Sequence, residues 1–168
     1  MLVWRAVFCV LFFLCAAFTA LAQDKGISLS TGASFKTLGR PSFGIRMQVE
    51  YFPVSYFSVM SRGGMDSTGF FDTDGEEVLV NYELGLDARF YIPHARRYFL
   101  SFFVQAGVGI FAIQRDKDAK ESYSGLCYGG GLGFRFFFPH RMFAELYAQA
   151  GYPYLMDTGL LFGIHSGS

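Results

Sequence analysis

Residues 126–151 read LCYGGGLGFRFFFPHRMFAELYAQAG. Up to Pro139 the bulky apolar side chains recur at every second position. Leu126, Tyr128, Leu132, Phe134, Phe136 and Phe138 share one parity, and Gly129, Gly131, Gly133 and Arg135 share the other. A repeat of two is the side-chain period of a β-strand, and successive residues then point to opposite faces. Pro139-His140-Arg141 interrupts the run, and alternation resumes beyond it. If those three residues form the turn, Phe138 pairs with Met142 and all the other pairs follow. Arg135 faces Glu145, Phe137 faces Phe143, Gly133 faces Tyr147, Gly131 faces Gln149 and Gly129 faces Gly151. On the other face Phe134 meets Leu146 and Leu132 meets Ala148. A slip of one residue would exchange the two faces along the whole hairpin.

The same pattern extends in both directions. Phe43, Ile45, Met47, Val49 and Tyr51 alternate with Gly44, Arg46, Gln48 and Glu50. Val80, Tyr82, Leu84, Leu86, Ala88 and Phe90 alternate with Asn81, Glu83, Gly85, Asp87 and Arg89. Strand-like segments are expected at about 26–35, 42–52, 56–63, 78–91, 98–113, 123–138, 142–152 and 158–166. Residues 100–113 are apolar but too short for a membrane helix, and Gly107 and Gly109 lower helix propensity. The connections after the second, fourth and sixth segments are short and carry Pro53, Pro93 and Pro139. Those after the first, third and fifth are expected to be longer or more polar, the longest being 62–77. An even-stranded barrel with both termini on one side produces this rhythm. Aromatic residues gather at the proline turns: Tyr51, Phe52, Tyr56 and Phe57; Phe90, Tyr91, Tyr98 and Phe99; Phe136, Phe137, Phe138 and Phe143. If those turns share one rim, these residues form an aromatic girdle at a membrane interface.

The first 22 residues differ from the rest. Arg5 precedes an apolar run from Ala6 to Leu21, and Ala20-Leu21-Ala22 offers small residues before a cut at Gln23. The expected organisation is a helical, cleaved signal peptide over 1–22 and one barrel domain over 23–168. Cleavage leaves Cys127 as the one cysteine, so no internal disulfide is expected. Only 17% of residues are charged, against roughly 25% in a soluble domain. Formal net charge is zero, which leaves no basic excess for nucleic acid.

Alternation alone does not separate a membrane barrel from a soluble one, whose apolar face points inward. Three features favour the membrane. None of the four lysines, Lys25, Lys36, Lys117 and Lys120, is expected in the middle of a strand, although lysine is the usual coat of a water-facing sheet. The parity opposite the apolar one is rich in glycine, which weakens a water-facing strand but suits a cramped interior. The apolar faces run for about the 9–11 residues that a tilted strand needs to cross a bilayer. With this topology, turn pattern and leader, the chain resembles the small OmpA- and OmpX-like outer-membrane barrels. The resemblance implies an all-β, eight-stranded, antiparallel up-and-down transmembrane β-barrel in the outer membrane. Such barrels commonly end in an aromatic residue, whereas this sequence ends Ile164-His165-Ser166-Gly167-Ser168.

On the inferred inner face lie Arg46, Glu50, Glu83, Asp87, Arg89, Arg135 and Glu145. Paired carboxylates serve acid–base catalysis, but ionised groups in so narrow an interior must pair. They read as a structural charge network that plugs the lumen. His94, His140 and His165 have no metal-ligand spacing. The acidic stretch Asp72-Thr73-Asp74-Gly75 fails as an EF-hand, whose first and last ligands would fall on Phe70 and Asn81. No catalytic residue, cofactor or metal is expected. The resulting expectation is a non-enzymatic, monomeric outer-membrane barrel surrounded by lipid. It would have a structural role or contact a surface partner through its outer loops, 62–77 above all. The competing readings are a small pore, a lipid-modifying enzyme using His165-Ser166, and a soluble lipocalin-like carrier.

Overall fold

A computed structural model of the chain describes residues 26–38, 40–68, 78–92, 99–115 and 122–166. The leader and its cleavage site at Ala20, Ala22 and Gln23 lie outside the described residues, as do 69–77 of the acidic loop. Eight strands follow one another: β1 (Ile27–Leu38), β2 (Arg40–Val54), β3 (Phe57–Ser67), β4 (Leu79–Ile92), β5 (Leu100–Arg115), β6 (Ser122–Phe137), β7 (Met142–Tyr152) and β8 (Met156–Ser166). Each pairs antiparallel with its sequence neighbours, and β8 pairs with β1 to close the barrel. Closure leaves no free edge within the paired wall, the condition for a sheet to sit in hydrocarbon.

Register follows from the turns. Between β6 and β7 the chain reverses over Pro139–Arg141, with His140 and Arg141 at φ 63° and 64°. Left-handed backbone is uncommon at non-glycine residues, and here it confines the reversal to three residues. Phe138 N–H donates to the Met142 carbonyl at 2.8 Å. Arg135 then lies opposite Glu145, Gly133 opposite Tyr147, and Leu132 opposite Ala148, which is the register expected from the sequence.

Several strands outrun their expected limits. β1 continues to Leu38 and β2 begins at Arg40, so the two strands are separated by one position where a longer or more polar connection was expected. β3 continues to Ser67, so residues 62–67 of the expected 62–77 loop are strand. β8 begins at Met156 and takes in Asp157. In each case polar residues continue the inward parity of their strand. In a barrel with a charged interior, polarity does not mark a strand end.

The wall is inverted relative to a soluble protein. Leu86, Val108 and Phe162 are 58%, 63% and 57% exposed on the outside, whereas Arg46, Arg89 and Arg135 are at most 1% exposed inside. A water-facing wall this apolar would aggregate, so the soluble carrier reading fails. Small inward residues leave room for large ones. A Cβ at Gly133 would overlap the Phe103 ring, and one at Gly159 the Tyr147 ring. The aromatic clusters at the proline turns divide by parity. Tyr56, Phe90, Phe99 and Phe138 face outward as a girdle. Phe52, Tyr91 and Phe143 instead point inward, where Phe52 and Tyr91 pack with Phe103, Tyr147 and Leu161. Three members of the girdle expected from the sequence are therefore lumen floor, and Tyr98 lies outside the described residues. Tyr128 and Tyr152 stack 5.9 Å apart on the outer surface toward the opposite end.

Candidate functional site: the charged lumen

The inward parity of eight strands brings charges from distant parts of the chain into two layers. The lower layer, toward the proline turns, centres on Glu145 of β7. Arg135 of β6 donates to it from Nε at 3.0 Å and from Nη2 at 2.5 Å. Arg89 of β4 donates from Nη1 and Nη2 at 2.9 and 2.8 Å. Glu50 of β2 accepts from Arg135 Nη2 and from the Tyr91 hydroxyl, each at 2.5 Å. Gln105 accepts from Arg89 Nε at 2.8 Å. Two guanidinium groups and two carboxylates balance, and each guanidinium also lies over a ring: Arg89 4.3 Å from the Phe103 centroid and Arg135 4.2 Å from that of Phe143. A cation over an aromatic face gains about 0.5–2 kcal/mol, more when desolvated.

The upper layer holds Lys36, Arg46 and Arg62 against Asp66, Glu83, Asp87 and Asp157. Lys36 Nζ bridges Asp66 Oδ2 and Glu83 Oε2, both at 2.6 Å. Arg62 donates to Glu83 at 2.7 Å and pairs with Asp87, while Arg46 pairs with Asp157. Asp157 also accepts from Tyr147 at 3.1 Å and Gln149 at 3.0 Å. Tyr154, in the turn between β7 and β8, hangs over this layer. Its hydroxyl donates to Asn81 Oδ1 at 2.8 Å, and Lys36 lies 4.6 Å from its ring centroid. Burial pushes the Tyr154 hydroxyl pKa up from its ordinary value. A cavity of about 10 Å³ remains beside it, lined in part by Arg62, Glu83, Cys127 and Asp157. That is room for roughly one water molecule.

All seven charged residues singled out from the sequence are buried in this lumen: Arg46, Glu83 and Asp87 above, Glu50, Arg89, Arg135 and Glu145 below. Sequence reasoning missed Lys36, Asp66 and Asp157, which sit beyond the expected strand ends, and Arg62, which sits where the expected third strand and the expected loop overlap. Their parity was the available signal, since Lys36 continues Ser28, Ser30 and Ser34, and Arg62 continues Ser58 and Met60. The lysines were expected to avoid strand interiors, yet Lys36 is fully buried in β1. The motif His165-Ser166 is split by alternation. His165 faces inward and meets the hydroxyl of Ser28 across the seam at 2.7 Å, whereas Ser166 is exposed. These two neighbours therefore do not share a face. Among the described residues, no group of three or more His, Cys, Asp and Glu side chains is placed to hold a metal ion.

A closed, eight-stranded up-and-down barrel with a hydrocarbon-facing wall and a charged interior is an integral outer-membrane β-barrel. Solved structures carry the same fold. The N-terminal β-barrel domain of Pseudomonas aeruginosa OprF is 16% identical, with a TM-score of 0.62 over 85% of this chain and 98% of that one. Neisserial surface protein A is 8% identical, with a TM-score of 0.62 over 86% and 97%. Ail, the attachment invasion locus protein of Yersinia pestis, solved in complex with the heparin analogue sucrose octasulfate, is 17% identical, with a TM-score of 0.54 over 86% and 100%. No protein-family model and no curated protein matches the sequence.

Proposed function

We propose that the protein is a non-enzymatic, monomeric outer-membrane barrel whose lumen is sealed by its ion network. Its role is structural, or lies in surface contact through the outer loops, among them the acidic connection between Ser67 and Leu79. Residues 1–22 act as a cleaved leader and 23–168 as the barrel domain. Lipid is its constant partner. One observation carries this reading: the lumen is filled by paired charges, with a cavity of about 10 Å³ beside Tyr154. A pore needs a continuous aqueous path, and a lipid-modifying enzyme needs a reactive group facing the bilayer. On the described wall Ser166 faces outward while His165 faces inward, so these two do not form such a group. That a barrel of this shape has been solved with a polyanion bound supports surface contact as the task of the loops.

The test combines two measurements. Mature protein from cell envelopes is expected in the outer-membrane fraction, starting at Gln23 and migrating differently on gels when unheated. Refolded into planar bilayers, it is expected to show no steady conductance. Uniform channels in most insertions would overturn the sealed lumen, and retention of 1–22 would overturn the domain organisation.

A further inference from the structure

Among the described residues, every buried lumen side chain but one is carried by a strand hydrogen-bonded to neighbours on both sides. The exception is Tyr154, 5% exposed, which sits in the three-residue turn between Tyr152 and Met156. Its anchorage is slight. Gly151 N–H donates to the Tyr154 carbonyl at 3.1 Å and Leu155 N–H to the Thr37 carbonyl at 3.0 Å. The side chain adds the hydroxyl bond to Asn81, the ring contact with Lys36 and an edge contact with the Phe111 ring, 6.3 Å between centroids. Among the described residues nothing covers the turn from outside, and the next residue, Leu155, is 82% exposed. Directly beneath lies the small cavity, with Cys127 in its wall.

We propose that this turn is a removable stopper: Tyr154 closes the outer mouth of the lumen. Its withdrawal opens a blind vestibule lined by Arg62, Glu83, Gln149 and Asp157, while the lower layer stays shut. The reasoning is mechanical. A strand-borne side chain leaves the lumen only if ladder hydrogen bonds break, whereas Tyr154 leaves with two backbone bonds and one side-chain bond. Segments held by few contacts open well below the global unfolding free energy. The vestibule then offers both charge signs and amide groups to a small polar solute from the outer side. The stopper builds on the sealed-lumen reading, but its test separates the two.

A chain beginning at Gln23 has Cys127 as its sole thiol. Refolded barrels are treated with a small water-soluble methanethiosulfonate, and the labelling rate of Cys127 is followed by mass. The parent is expected to label slowly and Tyr154→Ala at least tenfold faster. Tyr154→Phe, which keeps the ring but loses the tether to Asn81, should fall between them. Equal rates in parent and Tyr154→Ala overturn the stopper. If the alanine variant does not fold, as judged by heat-dependent gel migration, Tyr154→Phe decides, and an unchanged rate overturns the proposal. In planar bilayers Tyr154→Ala should still carry no steady current. Fast labelling with steady current upholds the stopper and refutes the lower layer as a seal. Slow labelling without current refutes the stopper and leaves the seal standing.

Discussion

Glu145→Ala is the most informative single change. Glu145 is fully buried and accepts four hydrogen bonds, two from Arg135 and two from Arg89. Truncation leaves the lower layer with two guanidinium groups and Glu50 alone. Glu50 already holds Arg135 at 2.5 Å but lies 3.7 Å from Arg89, too far for a good bond. The loss therefore falls mostly on Arg89, which cannot shed its charge. Removing one partner of a buried pair costs about 3–5 kcal/mol, because the other remains desolvated and unpaired. The double change Glu145→Ala with Arg135→Met restores the balance, leaving Arg89 free to move onto Glu50. It should therefore be more stable than Glu145→Ala alone, with a coupling between the two substitutions of about 0.5–3 kcal/mol, the range for contacting groups. Glu145→Gln, which keeps the shape and an acceptor but not the charge, should lie between alanine and parent. Trp4 is the only tryptophan, so a chain from Gln23 is followed by far-UV circular dichroism and gel migration across a guanidinium titration in detergent or lipid. The reasoning is refuted if the two substitutions add without coupling, or if Glu145→Ala costs less than about 1 kcal/mol, the value of an exposed pair.

Other outcomes follow from the wall and its packing. Leu132→Arg, on the outer face midway along the membrane-spanning part of β6, should destabilise the inserted barrel by about 2–4 kcal/mol; unchanged insertion and stability would mean that this face does not meet lipid. Gly159→Val should lower refolding yield or cost about 1–3 kcal/mol by overpacking, since its Cβ would fall on the Tyr147 ring and the Ala33 carbonyl; Gly159→Val with Tyr147→Ala should recover part of the loss, and no recovery would deny that contact its role. Protease added to whole cells should cut between Ser67 and Leu79 before it reaches the Ser55-Tyr56 turn, and the reverse order would invert the topology.

The hairpin of β6 and β7 could be read from sequence because its determinants are local. Alternation sets which side chains share a face, and the Pro139-His140-Arg141 turn sets the pairing, so Arg135 opposite Glu145 needs no knowledge of the rest of the chain. Arg46, Glu83, Asp87 and Arg89 were equally visible as polar residues on an otherwise bulk-poor parity. The aromatic clusters were visible as a group, but assigning them to a girdle ignored their parity. Phe52, Tyr91 and Phe143 belong to the inward set by the same rule that placed Arg135.

Closure of the sheet decided the rest. Arg46 of β2 pairs with Asp157 of β8, Arg89 of β4 with Glu145 of β7, and Arg135 of β6 with Glu50 of β2. None of these strand pairs is adjacent in the sheet, so no turn length or register predicts the contact. They form because a narrow barrel folds its inner face onto itself, and a desolvated charge takes the nearest opposite one. Closure also explains why strand ends were misjudged. Lys36, Arg62, Asp66 and Asp157 resemble loop residues in a sequence because polarity normally signals water. Here it signals an interior where other strands supply the partners. The sequence by itself determined the period, the faces and one hairpin's register. The tertiary structure alone decided which charges meet, where each strand ends and that Tyr154 lies over the lumen, because those depend on distances across the barrel that no local pattern encodes.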